Sequence, residues 1–186
     1  MTTIRTFIAI NLPTNIKKEL AIRTENLKEQ IRGDIKWIKP ENFHLTLHFL
    51  GYTDKTKLVL VENILKKGIQ TKKSFFLEIK KYGCFPHEYR PRVLFLDCDE
   101  LENNYLIDLQ KELEQELIKK IGLKVDYRPW QMHITFARLK NPMKVNLSKF
   151  TIFEKLKFEV KSIDLVKSEL GPAGPTYTTL KSFFLN

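Results

Sequence analysis

Two short segments share one pattern, His, aliphatic, Thr, bulky apolar: His44-Leu45-Thr46-Leu47 and His133-Ile134-Thr135-Phe136. In an extended chain residues i and i+2 share a face. His44 therefore lies with Thr46 and His133 with Thr135, while Leu45, Leu47, Ile134 and Phe136 point to apolar surroundings. Imidazole exchanges protons near neutral pH, and a hydroxyl can donate to an oxygen on which negative charge develops. Two of each, converging on one cleft, suit metal-free acid–base chemistry on a phosphate ester. The motifs lie 89 residues apart in a chain of 186, a spacing that suggests a duplicated lobe.

Each residue also has a plainer reading. A lone His on a strand is usually satisfied by backbone groups, and Thr is a good strand former. The repeated pair favours catalysis. His48 continues the His44/Thr46 face under strict alternation, but Ala137 occupies its counterpart, so it reads as peripheral, and His87 reads as a loop residue. Strict alternation also puts Arg138 on the face opposite His133. Trp37, Trp130 and Tyr177 are aromatics that could stack on bases, although aromatic residues in strands more often belong to the core. The four His include no HExxH and the two Cys no CxxC, so neither a metal nor another cofactor is expected.

Composition bounds the rest. The length suits one domain over residues 1–186, and 42% hydrophobic residues with 13 Phe argue against disorder. No apolar run approaches a membrane span, and the N-terminal MTTIRTFIAINLP reads as a strand and not a leader. Two Cys in a chain this size suit a reducing cytoplasm. The net charge of +10 permits a polyanionic partner such as RNA. Most of the surplus is Lys on solvated helix faces. Arg5, Arg90, Arg92, Arg128 and Arg138 lie in strand-like or loop segments, where Arg can bind phosphate bidentately.

The elements that must position the motifs follow from periodicity. Strands are expected at Arg5–Asn11, Lys36–Ile38, Phe43–Leu50, from Phe75 to Lys80, Arg92–Cys98, Met132–Leu139, Phe158–Lys167 and Tyr177–Leu185. The apolar phase shifts near Lys161–Ser162, which predicts a bulge or bend there. Helices are expected after Pro13, capped by Thr14 or Asn15; after Thr53 or Asp54, stopping at Gly68; and over Leu101–Lys120, closed by Gly122. A turn is expected over Gly171-Pro172-Ala173-Gly174-Pro175. Strand, helix, strands recurs in each half, and many strands follow one another directly. This predicts an α+β fold, bilobal, with two pseudo-twofold-related lobes of antiparallel sheet flanked by helices around a central active-site cleft.

The segment Trp37-Ile38-Lys39-Pro40-Glu41-Asn42-Phe43-His44-Leu45-Thr46-Leu47-His48-Phe49-Leu50-Gly51 resembles the first signature of the two-histidine (2H) phosphoesterases. Its nearest likeness is to the LigT-like RNA 2′,3′-cyclic phosphodiesterases, formerly 2′-5′ RNA ligases. Arg128-Pro129-Trp130-Gln131-Met132-His133-Ile134-Thr135-Phe136-Ala137-Arg138 resembles the second signature, with Met132 where that branch often has Pro. Similarity extends to Arg5–Ala9, Arg90–Phe95, Ser168–Leu170 and Gly174–Tyr177, so it spans nearly the whole chain.

The resemblance implies a proton donor in His44, a proton acceptor in His133, phosphoryl contacts from Thr46 and Thr135, and phosphate binding by Arg138. It implies hydrolysis of 2′,3′-cyclic phosphate termini of RNA, or of a small cyclic nucleotide, to 2′-phosphate ends. No metal and no membrane take part, and the enzyme is expected to be a monomer. A basic RNA-binding module that keeps the fold without turnover is the alternative, and the two intact motifs argue against it.

Overall fold

The computed structural model describes residues 2–101, 105–141, 143–150, 155–172 and 174–186. Among these, nine strands form one antiparallel sheet: β1 (Thr3–Asn11), β2 (Ile35–Trp37), β3 (His44–Asp54), β4 (Phe75–Phe85), β5 (Val93–Glu100), β6 (His133–Leu139), β7 (Leu156–Val160), β8 (Ser162–Gly171) and β9 (Gly174–Phe184). Three helices flank it, α1 (Thr14–Gln30), α2 (Lys55–Ile69) and α3 (Tyr105–Ile121). The order across the sheet is β7-β4-β5-β6-β3-β1-β8-β9, and β2 adds to β6.

That order is symmetric about the seam between β6 and β3. On one side β1–α1 leads to the motif strand β3, and on the other β5–α3 leads to the motif strand β6. The expected α+β fold with two related halves is the one the chain adopts, and the halves share a single sheet. The seam is narrow. Among the described residues only Leu45 and Ile134 pair across it, both fully buried. Each such side chain contributes roughly 2–3 kcal/mol by leaving water, and the halves are joined further by β2 on β6 and by the packing of α2 on α3.

The sheet is curled. β7 pairs with β4 in one half, β8 pairs with β1 in the other, and Lys161 alone separates them in sequence. The expected single strand over Phe158–Lys167 is therefore two strands, and the shift of apolar phase marks the passage between them.

The helices follow from local chemistry, with three departures. Asp54 caps α2 as expected, its carboxylate accepting from the Lys57 N–H at 2.9 Å. Thr14 and Asn15 do not cap α1: Pro13 holds the cap position without a side-chain bond, and Thr14 is already helical. Gly68 does not stop α2, which runs on to Ile69. A Cβ at Gly68 would lie 3.0 Å from Leu113 Cδ2, so this glycine serves the close approach of α2 and α3. Helix α3 is described over Tyr105–Ile121, and Leu101 is a bend and not helical; residues 102–104 lie outside the described residues, as does Ala173 of the expected turn.

The main core lies between the helices and one sheet face, where Leu20, Leu65 and Leu113 meet Ile8, Ile10, Leu96 and Leu165. A smaller cluster of Phe7, Ala9 and Val166, covered by Tyr177, lies apart from it. Phe7 and Ala9 alternate with Ile8 and Ile10 along β1, which puts this cluster on the opposite sheet face. No helix among the described residues is long and apolar enough to cross a membrane.

Candidate active site

The Leu45–Ile134 pair fixes the relation of the motifs. In an antiparallel ladder anchored there, His44 stands across from Thr135 and Thr46 across from His133, all four on the face away from the helical core. Each histidine thus faces the hydroxyl of the other motif. The two rings are near enough to interact, since His133 disfavours charge on His44.

Both rings are oriented in the same way. His44 Nδ1–H donates to the Asn42 carbonyl at 2.7 Å, and His133 Nδ1–H to the Gln131 carbonyl at 2.8 Å. With Nδ1 so engaged, the neutral tautomer carries its lone pair on Nε2, the atom left for chemistry. The side chains of the two residues that supply these carbonyls are themselves anchored. Asn42 Nδ2 donates to the Pro175 carbonyl at 2.9 Å, and Gln131 Nε2 to Asp97 Oδ1 at 2.9 Å. Met132, the departure from the second signature, does not disturb this approach: it is buried, and its carbonyl accepts from Cys98 N at 3.0 Å.

Aromatic rings wall both imidazoles. Phe7 and Tyr177 lie 4.9 and 5.1 Å from His44, and Phe95 and Phe85 lie 5.3 and 5.1 Å from His133. This apolar packing penalises the charged ring. Burial pushes His44 down to about 4, against the bond to Asn42, and Lys17, His133 and Arg138 push it the same way. Burial also lowers His133; the Gln131 bond opposes it, Arg138 adds to it, and Asp97 opposes it.

Arg138 reaches this site through an irregularity that alternation does not show. On β6, Thr135 pairs with Phe95 and Ala137 with Leu94, so Phe136 is an extra residue, a β-bulge. Phe136 and Ala137 are both fully buried in succession, and Arg138 returns to the His133/Thr135 face. The expectation from strict alternation is thereby corrected. Arg138 acts on His44, His133 and Tyr177 alike.

The same device occurs in β3. Thr46 pairs with Ala9 and His48 with Ile8, leaving Leu47 as the extra residue. His48 is consequently turned away from the His44/Thr46 face that alternation assigns it. It is buried, with Nε2 3.0 Å from the Gln110 carbonyl in α3. Phe49 takes the cleft face instead, 62% exposed and 6.1 Å from Phe7. Phe49 and Arg138 are thus equivalent positions in the two halves, one an aromatic platform and the other a cation.

The three aromatics considered for base stacking are otherwise engaged. Trp37 stacks on Phe136 with ring centroids 6.1 Å apart, Trp130 Nε1 donates to the Thr46 carbonyl at 3.1 Å, and Tyr177 packs edge-on against His44 and Phe7. Phe49 is the residue that sequence reasoning missed. Among the described residues no group of three or more His, Cys, Asp or Glu is placed to hold a metal ion.

Comparison with known proteins bears on this geometry. The family model described as LigT like Phosphoesterase matches residues 10–95 and 97–177. The RNA 2′,3′-cyclic phosphodiesterase of Methanocaldococcus jannaschii is 35% identical over 184 residues, covering 96% of this chain and 99% of that protein. The protein of the same name from Methanothermobacter thermautotrophicus is 30% identical over 187 residues, covering 98% and 99%. Among solved structures, a Thermus thermophilus protein superposes with a TM-score of 0.84 at 28% identity, covering 98% of both chains. Escherichia coli LigT complexed with 3′-AMP gives 0.84 at 22% identity over 100% and 99%, a likeness of fold.

Proposed function

The chain belongs to the LigT-like phosphoesterase family, and from that premise we propose that it hydrolyses 2′,3′-cyclic phosphate ends of RNA to 2′-phosphate ends with its own side chains and no metal. What supports this reading is the crossed register at the seam, which sets each histidine across from the other motif's threonine, with each Nδ1 held by a backbone carbonyl and Nε2 left for chemistry. The relatives named RNA 2′,3′-cyclic phosphodiesterases support the substrate class.

The reaction needs two proton transfers on opposite sides of phosphorus. His133 Nε2, with its lone pair free, takes a proton from water as the water oxygen bonds to phosphorus. The P–O3′ bond breaks, and His44 Nε2–H delivers its proton to O3′. The products are a 3′-hydroxyl and a 2′-phosphate monoester, and the two rings exchange their proton with solvent. Thr46 and Thr135 donate to the non-bridging oxygens, and Arg138 neutralises the charge gathering there. One chain carries every group, so the catalytic unit is the monomer. The free thiols of Cys84 and Cys98 are consistent with a cytoplasmic setting. Analysis of the product end tests the reading: a 2′-phosphate is expected, and a 3′-phosphate would overturn the assignment of the leaving oxygen.

Thr46→Val and Thr135→Val should each lower kcat by about 10-fold, one of two donors being lost, while Thr→Ser variants keep most activity. Equal losses in the Ser and Val variants would instead point to packing by the methyl group.

The pH profile follows from the lowered imidazoles. Free enzyme at neutral pH holds little His44 as the charged ring, because burial keeps it near 4. A bound phosphodiester anion beside the ring favours its charged form and raises that value. The descending limb follows the higher of the two imidazole values, and the bound anion raises it. It should lie at higher pH in kcat, which reports the complex, than in kcat/KM, which reports free enzyme. Coincident limbs, or a lower one in kcat, would contradict the coupling of the imidazoles to the phosphate.

A further inference from the structure

Past the Leu45–Ile134 pair the two halves of the sheet part, and the two seam edges are finished differently. The edge of β6 is covered by β2, with Ile35–Trp37 paired to Ala137–Leu139 and Ile38 N donating to the Phe136 carbonyl at 2.8 Å. The matching edge of β3 pairs with no strand among the described residues; Trp130 Nε1 reaches the Thr46 carbonyl, and beyond it the edge stands open. Here lies a cavity of about 460 Å³ between the far half of β3, the start of α2 and the residues following α3. That volume falls within the range of sites for small organic ligands, about 300–1,000 Å³.

Its lining has a definite chemistry. Phe49 belongs both to this cavity and to the catalytic face, so the two adjoin at this residue. Tyr52, 73% exposed, stands three residues further along the strand. Lys57 and Lys124 lie on the walls, and among the described residues neither side chain is in an ion pair. Aromatic faces beside unpaired ammonium groups, running outward from a phosphate-handling site, are what a single strand of nucleic acid needs: bases stack on the rings and phosphates meet the charges.

We propose that this cavity is a subsite for the nucleotide preceding the cyclic phosphate, its base on Tyr52 and its phosphate held by Lys57 and Lys124. The inference rests on the function proposed above and deepens it. It makes the enzyme selective for a chain end over a free cyclic nucleotide, since a mononucleotide leaves the cavity unused. The open β3 edge gives the strand its way out of the cleft, which the β2-covered side does not.

The experiment compares kcat/KM on a 2′,3′-cyclic mononucleotide and on a trinucleotide with the same cyclic end, for wild type, Tyr52→Ala and Lys57→Ser/Lys124→Ser. Wild type should prefer the trinucleotide by about 10-fold or more. Both variants should lose most of that preference while keeping mononucleotide turnover within about 2-fold. The preference should also shrink as salt rises, because phosphate contacts release counterions. Retained mononucleotide activity shows that the variants fold. Equal kcat/KM on the two substrates in wild type, or variants that lose both activities in proportion, would overturn the subsite. A wild-type dimer in sedimentation that Tyr52→Ala abolishes would assign the cavity to a second copy and also overturn it. Failure of wild type on both substrates would remove the proposed function, and the subsite with it.

Discussion

His44→Ala and His133→Ala should each lose at least about 10²-fold in kcat, the scale on which a positioned acid or base contributes. Each substitution leaves one proton transfer to water and leaves the opposite hydroxyl and Arg138 in place. The two transfers belong to one displacement, so their losses do not add. The double variant should be little worse than the poorer single. His87→Ala, in an exposed turn, should stay within a few-fold of wild type. His48→Ala should lower the melting temperature, because it removes a buried ring bound to the Gln110 carbonyl, yet leave kcat of the folded protein within a few-fold. Steady-state kinetics with thermal melts of all five proteins check the set. Full activity in His133→Ala would end the two-histidine account.

Arg138→Ala carries the second large effect. The guanidinium lies on the catalytic face only because of the bulge at Phe136, and it acts on both imidazoles. Removing a donor aimed at developing phosphoryl charge costs about 10²–10³-fold in rate. We expect Arg138→Ala to lower kcat/KM by about 10²-fold. Arg138→Lys should recover part of it, since the charge returns without the bidentate fork. A second readout separates this role from packing. Arg138 disfavours the charged form of both rings, so both imidazoles should titrate at higher pH in Arg138→Ala when followed by NMR. Unmoved imidazoles together with unchanged kcat/KM would place Arg138 outside the site.

How much of this was legible in the chain depends on the local rule involved. The HxT pairs were readable because alternation holds from His44 to Thr46 and from His133 to Thr135. One residue later it fails, at Leu47 and Phe136. On β6 the apolar pair Phe136-Ala137 followed by Arg138 is a hydropathy trace of the bulge. On β3 the trace is inverted, because the buried residue is polar (His48) and the exposed one apolar (Phe49). Side-chain type alone therefore put the wrong residue on the catalytic face. The seam was invisible for another reason. Duplication suggested two lobes, but the pairing of Leu45 with Ile134, the one across the seam among the described residues, makes them one sheet, and no periodicity encodes which strands of two halves become neighbours. The carbonyls of Asn42 and Gln131 that orient the rings are backbone groups and leave no signature in side-chain identity.

The central claim is that two imidazoles, two hydroxyls and a guanidinium suffice for the reaction. It is tested most directly by following hydrolysis of an oligonucleotide with a 2′,3′-cyclic phosphate end in excess EDTA, with and without added Mn²⁺ or Zn²⁺. The account predicts full turnover in the chelator and no gain from either ion. Activity that disappears in EDTA and returns with a divalent cation would contradict it.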